Sequence, residues 1–381
     1  MTPCHKTGIA LLLLTTVLSA CGGDSTAPPT TGTIDFNIVT TGVDIDADGF
    51  LLTVDGGLPQ VIAANATLTM SAPPGSHTLA ISGLAFNCDV TAAPPSADVA
   101  LARTTRVDAR ASCTPYLRNA ILYISREFGL NNVMAMRPDG SRRERLTNDG
   151  NYYGPVAAPN GQSIAVSSGP YAGGSDGIFL LDRFGKGRTK VVGRSIADGA
   201  PAWSPDGTKI AFRSFVSGAG GDVGRIFIVN RDGTGLRQLT PETTDYTFDE
   251  GPSWSPDGTR LVFSRNALLF MINPDGSGLV STGVSGEYPS WSPDGSQIVY
   301  ASVVNGPGGI WAMDMSFTPH RITTPIESDQ MPRWSPNGLQ IVFERVEGSV
   351  FHLYRIGADG TGGTNLTAGP EDSWASWSPN F

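Results

Sequence analysis

Two sets of carboxylates in this sequence have the spacing for chemistry. In DIDADGFLLTVD (44–55), Asp44, Asp46, Asp48, Gly49 and Asp55 fall at the positions of a twelve-residue calcium loop. Alternating oxygen ligands with a glycine at the sharp turn are what a hard divalent cation requires. The usual bidentate Glu is Asp55 here and the flanks read as strands, so an acidic hairpin turn is the competing reading; Ca2+ is the one cofactor the sequence suggests. The second set recurs. Asp198, Asp249 and Asp329 each stand three residues before the Pro of a Pro-x-Trp, and Asp372 holds the same place before Ala375. Glu250, Glu287, Glu327 and Glu371 lie within two residues of that position, and Tyr152, Tyr153, Tyr246 and Tyr288 add amphipathic surface. Acidic groups edged by aromatics would suit a basic segment or a cation, although an Asp at such a position also caps its own loop.

Other catalytic signatures are missing. The one GxSxG string, GGSDG (173–177), lies in a glycine-rich run without the strand-then-helix flanks of a nucleophile elbow, and His77, His320 and His352 fall in separate predicted strands without HxH or HExxH spacing, which reads as ordinary surface histidine. The short basic run SRRERLT (141–147) reads as charge protecting a sheet edge.

What must position these groups is a repeat. WSPDG occurs at 203–207, 254–258 and 291–295, as WSPNG at 334–338 and as WSPNF at 377–381. Pro pre-sets φ for a tight turn, Gly accepts the left-handed position, Asp bonds nearby N–H groups, and Trp is large enough to wedge between neighbouring sheets. One copy per unit makes the motif scaffold. The first four are followed by a strand (KIAFRS, RLVFSR, QIVYAS, QIVFER), then by a second that ends in a DG turn at 225–233, 268–276 and 350–360, and by a third ending in LT or IT at 237–240, 321–323 and 365–367. Trp-to-Trp spacings of 51, 37, 43 and 43 residues match propeller blades. Weaker copies at VAAPNG (156–161), with Ala157 in the Trp place, and at AILYIS (120–125) bring the count to six. The strand ending in WSPNF should join those of 120–147 and close the ring, so removing the last ten residues should unfold it.

These motifs resemble the TolB-like, WD-repeat-like propeller family, over roughly 119–381. TolB proteins are soluble periplasmic proteins whose propeller binds a peptidoglycan-associated lipoprotein, so the resemblance implies the fold and a binding role in the envelope. The chain departs from that family at its start. Lys6 precedes the apolar run IALLLLTTVL, and LSAC, ending at Cys21, resembles a bacterial lipobox in which Cys21 is lipidated. Gly22 after that Cys favours the outer membrane by the rule of that family. Residues 1–21 thus read as a lipoprotein signal and 22–32 as a flexible tether of about 20 Å reach.

Residues 33–117 alternate apolar and polar positions, as in IDFNIV and HTLAISG, and predict a small antiparallel β-sandwich in place of an α/β domain. Setting aside Cys4 and Cys21 leaves Cys88 and Cys113, which in an oxidising compartment most simply form one disulfide, free buried thiols being the alternative. The net charge of −9 argues against nucleic acid as a partner. The sequence therefore predicts an all-β chain: a sandwich (33–117), then a six-bladed propeller (118–381). Its expected role is that of a lipid-anchored, monomeric platform for an envelope protein or peptide. A propeller enzyme using rim carboxylates on peptide or carbohydrate, and a purely structural module, are the competing classes.

Overall fold

The computed structural model describes residues 29–380 apart from 47, 86, 128, 170–176, 194–197, 219–220, 243–246, 303–307, 325–327 and 370. Every regular element among them is a strand. The signal, Cys21 and most of the tether lie outside the described residues.

Two four-stranded sheets make the sandwich. One orders Thr67–Ala72, Gly32–Gly42, Thr104–Cys113 and Cys88–Ala92; the other orders Gln60–Ile62, Phe50–Val54, Gly75–Ser82 and Ser96–Val99. Alternation in the first strand buries Ile34, Phe36 and Ile38 against Phe50, Leu52, Val107 and Ala109. The domain is not purely antiparallel: Gly32–Gly42 runs parallel to Thr104–Cys113 over ten residue pairs, Thr33 to Gly42. A first strand returning beside the last needs a long crossover, which the alternation of either strand alone cannot reveal. Cys88 and Cys113 sit directly opposite one another on adjacent antiparallel strands and are disulfide-bonded.

After the sandwich, the described residues form six four-stranded sheets. Their innermost strands are, in order, Tyr152–Ala157, Gly199–Trp203, Asp249–Trp254, Glu287–Trp291, Ser328–Trp334 and Asp372–Trp377. Each packs against the next, and Asp372–Trp377 packs against Tyr152–Ala157, so the six close into a ring. We number the blades from first to sixth by these strands. The sixth is composite: Asp372–Trp377 pairs with Ile121–Glu127, Trp377 lying opposite Ile121.

The repeated residues hold this ring together. Trp254 is buried between Ala211, Ile226 and Leu239 of the second blade and Leu261 of the third, and Trp291, Trp334 and Trp377 fill the same wedge at later steps. In the turn, Gly258 is left-handed (φ +68 to +73 across the four copies at 207, 258, 295 and 338), and a Cβ there would meet Pro205 of the preceding blade at 3.7 Å. Asp257 accepts from Ser255 Oγ and from the Thr259 N–H, which lowers its pKa. The LT ending is explained too: the hydroxyls of Thr147, Thr240, Thr323 and Thr367, all buried, accept an N–H from the neighbouring strand.

Contacts join sandwich and propeller. Arg183 pairs with Asp44, Arg137 with Asp89 at 2.8 Å, and the Tyr116 ring packs on Phe184 with centroids 4.8 Å apart. Within the basic run, Arg142 donates to the Leu84 carbonyl of the sandwich and Arg143 to the Leu366 carbonyl of the fifth blade.

Candidate functional site

Every innermost strand carries a bulge near its start, seen as a register shift against its partner, for example between Glu250 and Ser253. A bulge re-aims side chains and is common beside functional sites. Each bulge places one residue in the left-handed region: Gly154, Ala200 and Gly251 in the first three blades, Tyr288, Met331 and Trp374 in the last three, all with φ between +50 and +62. Half the ring meets this demand with small residues and half with large ones. For L-residues the left-handed conformation costs about 1–2 kcal/mol each, and bulky residues rarely adopt it. The large side chains lean over small neighbours: a Cβ at Gly251 would touch Tyr288 Cα at 3.3 Å, and one at Gly154 would meet the Trp374 ring at 3.5 Å.

Charged groups collect at this end of the ring, opposite the WSPDG turns. Glu250 lies 3.9 Å from Arg213. Burial raises the Glu250 pKa, which Arg213 pulls back and Glu287 pushes further up. Burial likewise lowers Arg213 and Arg333 and, with the carboxylates of Glu250, Glu287 and Glu344 nearby, raises the Tyr288 phenol. Arg333 donates to the carbonyls of Pro332 at 2.8 Å and Tyr288 at 3.3 Å. Glu344 is the most perturbed carboxyl of the group. It is buried in the middle of strand Gln340–Glu347, accepting the Trp374 N–H and, at 3.2 Å, Gln330 Nε2. Desolvation drives its pKa up to about 7 against the opposing pull of those two hydrogen bonds and Arg333.

Between the fifth, sixth and first blades Glu344 borders a pocket of about 370 Å³. Tyr153, Gln330, Met331, Glu344, Phe351 and Trp374 are among its walls. Arg126 and Glu371, also in its lining, pair with each other at 3.1 Å.

A family model described as the TolB beta propeller domain matches residues 155–381, more than half of the chain. The chain belongs to this TolB β-propeller family. Within it, the Protein TolB homolog of Chlorobium luteolum is 35% identical over 144 residues, 38% of this chain and 30% of that protein. The Tol-Pal system protein TolB of Anaeromyxobacter dehalogenans is 28% identical over 171 residues, 41% and 37% of the two chains. The chain thus spans about a third of the length of these curated relatives. The crystal structure of TolB from Acinetobacter baumannii superposes with a TM-score of 0.60 at 20% identity, covering 68% of this chain and 67% of that one, which is a likeness of fold.

On this TolB-type ring the expected collar residues separate into two groups. Asp198, Asp249, Asp329 and Asp372 are buried, so they are not an exposed collar. Asp249 is bound bidentately by Arg265 at 2.5 and 2.8 Å, and Asp329 by Arg345 at 2.7 and 3.1 Å. Both arginines lie sixteen residues downstream, directly across the hairpin. Tyr152 is buried with its hydroxyl donating to Asp149 at 2.9 Å. Tyr153, Glu250, Glu287, Tyr288 and Glu371 do lie in or beside the charged group; Tyr246 and Glu327 are outside the described residues.

The aspartates of 44–55 are dispersed. Asp44 pairs with Arg183 and accepts the Tyr116 N–H, and Asp46 accepts from Asp48 N and Ala85 N. Asp55 lies beyond strand Phe50–Val54, roughly 16 Å along the extended chain from Phe50. There it binds His77, so the two flanking strands that argued against a calcium loop also pull its ends apart. Among the described residues no group of three or more His, Cys, Asp or Glu could hold a metal ion. His77 is not a surface residue either: it is buried, with Nδ1 2.6 Å from Asp55 and Nε2 2.8 Å from the Pro73 carbonyl.

Sequence reasoning passed over Arg213, Gln330, Met331, Arg333, Glu344 and Trp374. A signal for them existed. At the fifth place of the strand that follows each WSPDG turn (KIAFRS and its counterparts) the copies read Ile124, Ser167, Arg213, Ser264, Ala301 and Glu344, a variable column directly after the three apolar places.

Proposed function

We propose that this TolB-family propeller is a cell-envelope binding platform that takes a protein or peptide partner on the face opposite the WSPDG turns. The observation that carries the reading is the asymmetry of the ring. Tyr288, Met331 and Trp374 occupy strained left-handed positions in three successive blades, beside a pocket and a cluster of desolvated charges. Strained backbone of this kind clusters at active sites and ligand clamps, where the surrounding structure holds it in place. A relative named as a Tol-Pal system protein supports an envelope setting. The export signal and the cysteine at position 21 support a lipid anchor in the outer membrane, with the chain acting as a monomer at the end of its tether.

A photo-crosslinking residue at Ser373, on the pocket lining, compared with one at Asp257, on the turn face, tests the platform in intact envelopes. The expected result is a discrete adduct with an envelope protein from Ser373 and none from Asp257. Equal labelling from both faces, or none, would overturn it. Metabolic labelling with an alkyne fatty acid should tag the wild-type protein and not Cys21→Ser; a wild-type protein that takes up no label would refute the anchor.

A further inference from the structure

We propose that the pocket between the fifth, sixth and first blades receives a cationic side chain, Lys or Arg, from the partner, with Glu344 as its counter-ion. This deepens the platform reading and rests on it. The pocket's volume of about 370 Å³ falls within the usual range of about 300–1,000 Å³ for sites that enclose a ligand group. Charge decides what kind. The lining holds two carboxylates, Glu344 and Glu371, and one cation, Arg126. Arg126 is already engaged with Glu371 at 3.1 Å, which leaves Glu344 without a direct ionic partner in the pocket.

The groups facing Glu344 from every side are consistent with that. Gln330 and the Trp374 N–H supply two hydrogen bonds; Arg333, on the fifth blade's inner strand, is committed to the Pro332 and Tyr288 carbonyls. Tyr288 approaches from the fourth blade as a neutral phenol. On Glu344's own strand Arg345 is bound to Asp329, and on the adjoining strand His352 lies 3.8 Å from Glu347. An entering ammonium or guanidinium would meet one buried carboxylate and the rings of Trp374, Tyr153 and Phe351, the combination that holds organic cations through charge and π-face attraction. An anion would meet the same carboxylate and be repelled.

The probes are Nα-acetyl-lysine methylamide and Nα-acetyl-arginine methylamide, against the uncharged isostere Nα-acetyl-norleucine methylamide. Binding to the full-length chain in detergent is followed by saturation-transfer NMR over a concentration series. At pH 8 the two cations should bind at least tenfold more tightly than the norleucine probe. Because Glu344 ionises near pH 7, that advantage should shrink about tenfold by pH 6. Glu344→Gln keeps an acceptor for the Trp374 N–H and should abolish the preference; equal binding of all three probes, no binding of any, or a preference that survives Glu344→Gln would overturn the proposal. Phe351→Ala leaves the carboxylate in place and should weaken all probes while keeping the preference for charge, so the idea stays testable if the Gln variant misfolds. Envelope crosslinking that fails while the lysine preference persists would count against the platform alone. Crosslinking undiminished by Glu344→Gln would count against the cation site alone.

Discussion

Replacing Asp249 by Asn separates a structural aspartate from a binding one. Asp249 is 0% exposed, and the Arg265 side chain that grips it is 10% exposed. Arg265 donates through Nε and a terminal nitrogen at 2.5 and 2.8 Å, while its guanidinium lies 5.6 and 5.3 Å from the ring centroids of Phe263 and Phe270. The arginine therefore has apolar packing around it and one carboxylate to balance its charge. Asn preserves the shape and leaves that charge uncompensated, and breaking a buried pair from one side costs about 3–5 kcal/mol. For a propeller of this size that is a drop in Tm of roughly 6–20 °C. Urea unfolding followed by tryptophan fluorescence reads it, with Trp254 at the end of the same strand as a local reporter. The double change Asp249→Leu with Arg265→Met should recover most of the loss, because an apolar pair of similar volume removes both desolvation costs. A single-variant loss below about 1 kcal/mol, accompanied by lost partner binding, would refute this reasoning and return Asp249 to the binding surface.

Four further outcomes are expected. Gly251→Ala should cost about 1–2 kcal/mol, since it adds both left-handed strain and a Cβ 3.3 Å from Tyr288, whereas Ala200→Gly, at φ +50, should be neutral or stabilising by up to about 1 kcal/mol; thermal melts check the opposite signs. His77 has its pKa raised by the hydrogen bond to Asp55, so its contribution to stability is whole below the unfolded value near 6.5 and fades as pH rises through the folded value; Asp55 is lowered mainly by the same bond and loses its contribution in acid. Melting from pH 5 to 9 should show a decline that His77→Gln flattens. Changing Cys88 and Cys113 together to Ala releases a closed loop spanning 25 residues of sequence separation and should cost about 3 kcal/mol, seen as a sandwich that unfolds at lower urea while the propeller transition stays put. Deleting 372–381 removes the sixth inner strand and buried Trp377, and should abolish the cooperative propeller transition in calorimetry instead of shifting it slightly.

What the sequence made legible was whatever is both local and repeated. Trp254 wedges and Gly258 turns because five neighbouring residues dictate it, and the same solution recurs around the ring, with Ala157 in the Trp place of the first blade. The all-β class and the TolB-type ring followed from that. Asp249 and Asp329 were misplaced in the collar because their partners are distant in sequence. Asp249 and Arg265 are sixteen residues apart, and only the hairpin register shows that they face each other. The same separation joins Asp329 to Arg345, so two of the four aspartates could have been paired by asking where an arginine follows at sixteen residues. Parallel pairing of Gly32–Gly42 with Thr104–Cys113 was hidden for a like reason, since alternation fixes a strand's faces but not its neighbour.

The pocket was hidden by the opposite circumstance: its residues are those that fail to repeat. Glu344 interrupts the apolar strand QIVFER where other blades carry Ser264 or Ala301, and Trp374 stands where others carry Gly154 or Gly251. A ring needs the repeated positions for closure and leaves the variable ones open to selection for binding, so departures from the repeat are where a site should be sought. In this chain the two demands meet. Glu344 accepts the N–H of Trp374, on the strand that completes the sixth blade, so a group that ionises or shields Glu344 also acts on the closing strand. Ligand bound at this carboxylate stabilises the native ring by mass action. Its stabilisation should be read most strongly in the amides of Asp372–Trp377, whose exchange reports opening of the seam. Uniform protection of all six inner strands on binding would instead place the ligand on the ring axis, away from the seam.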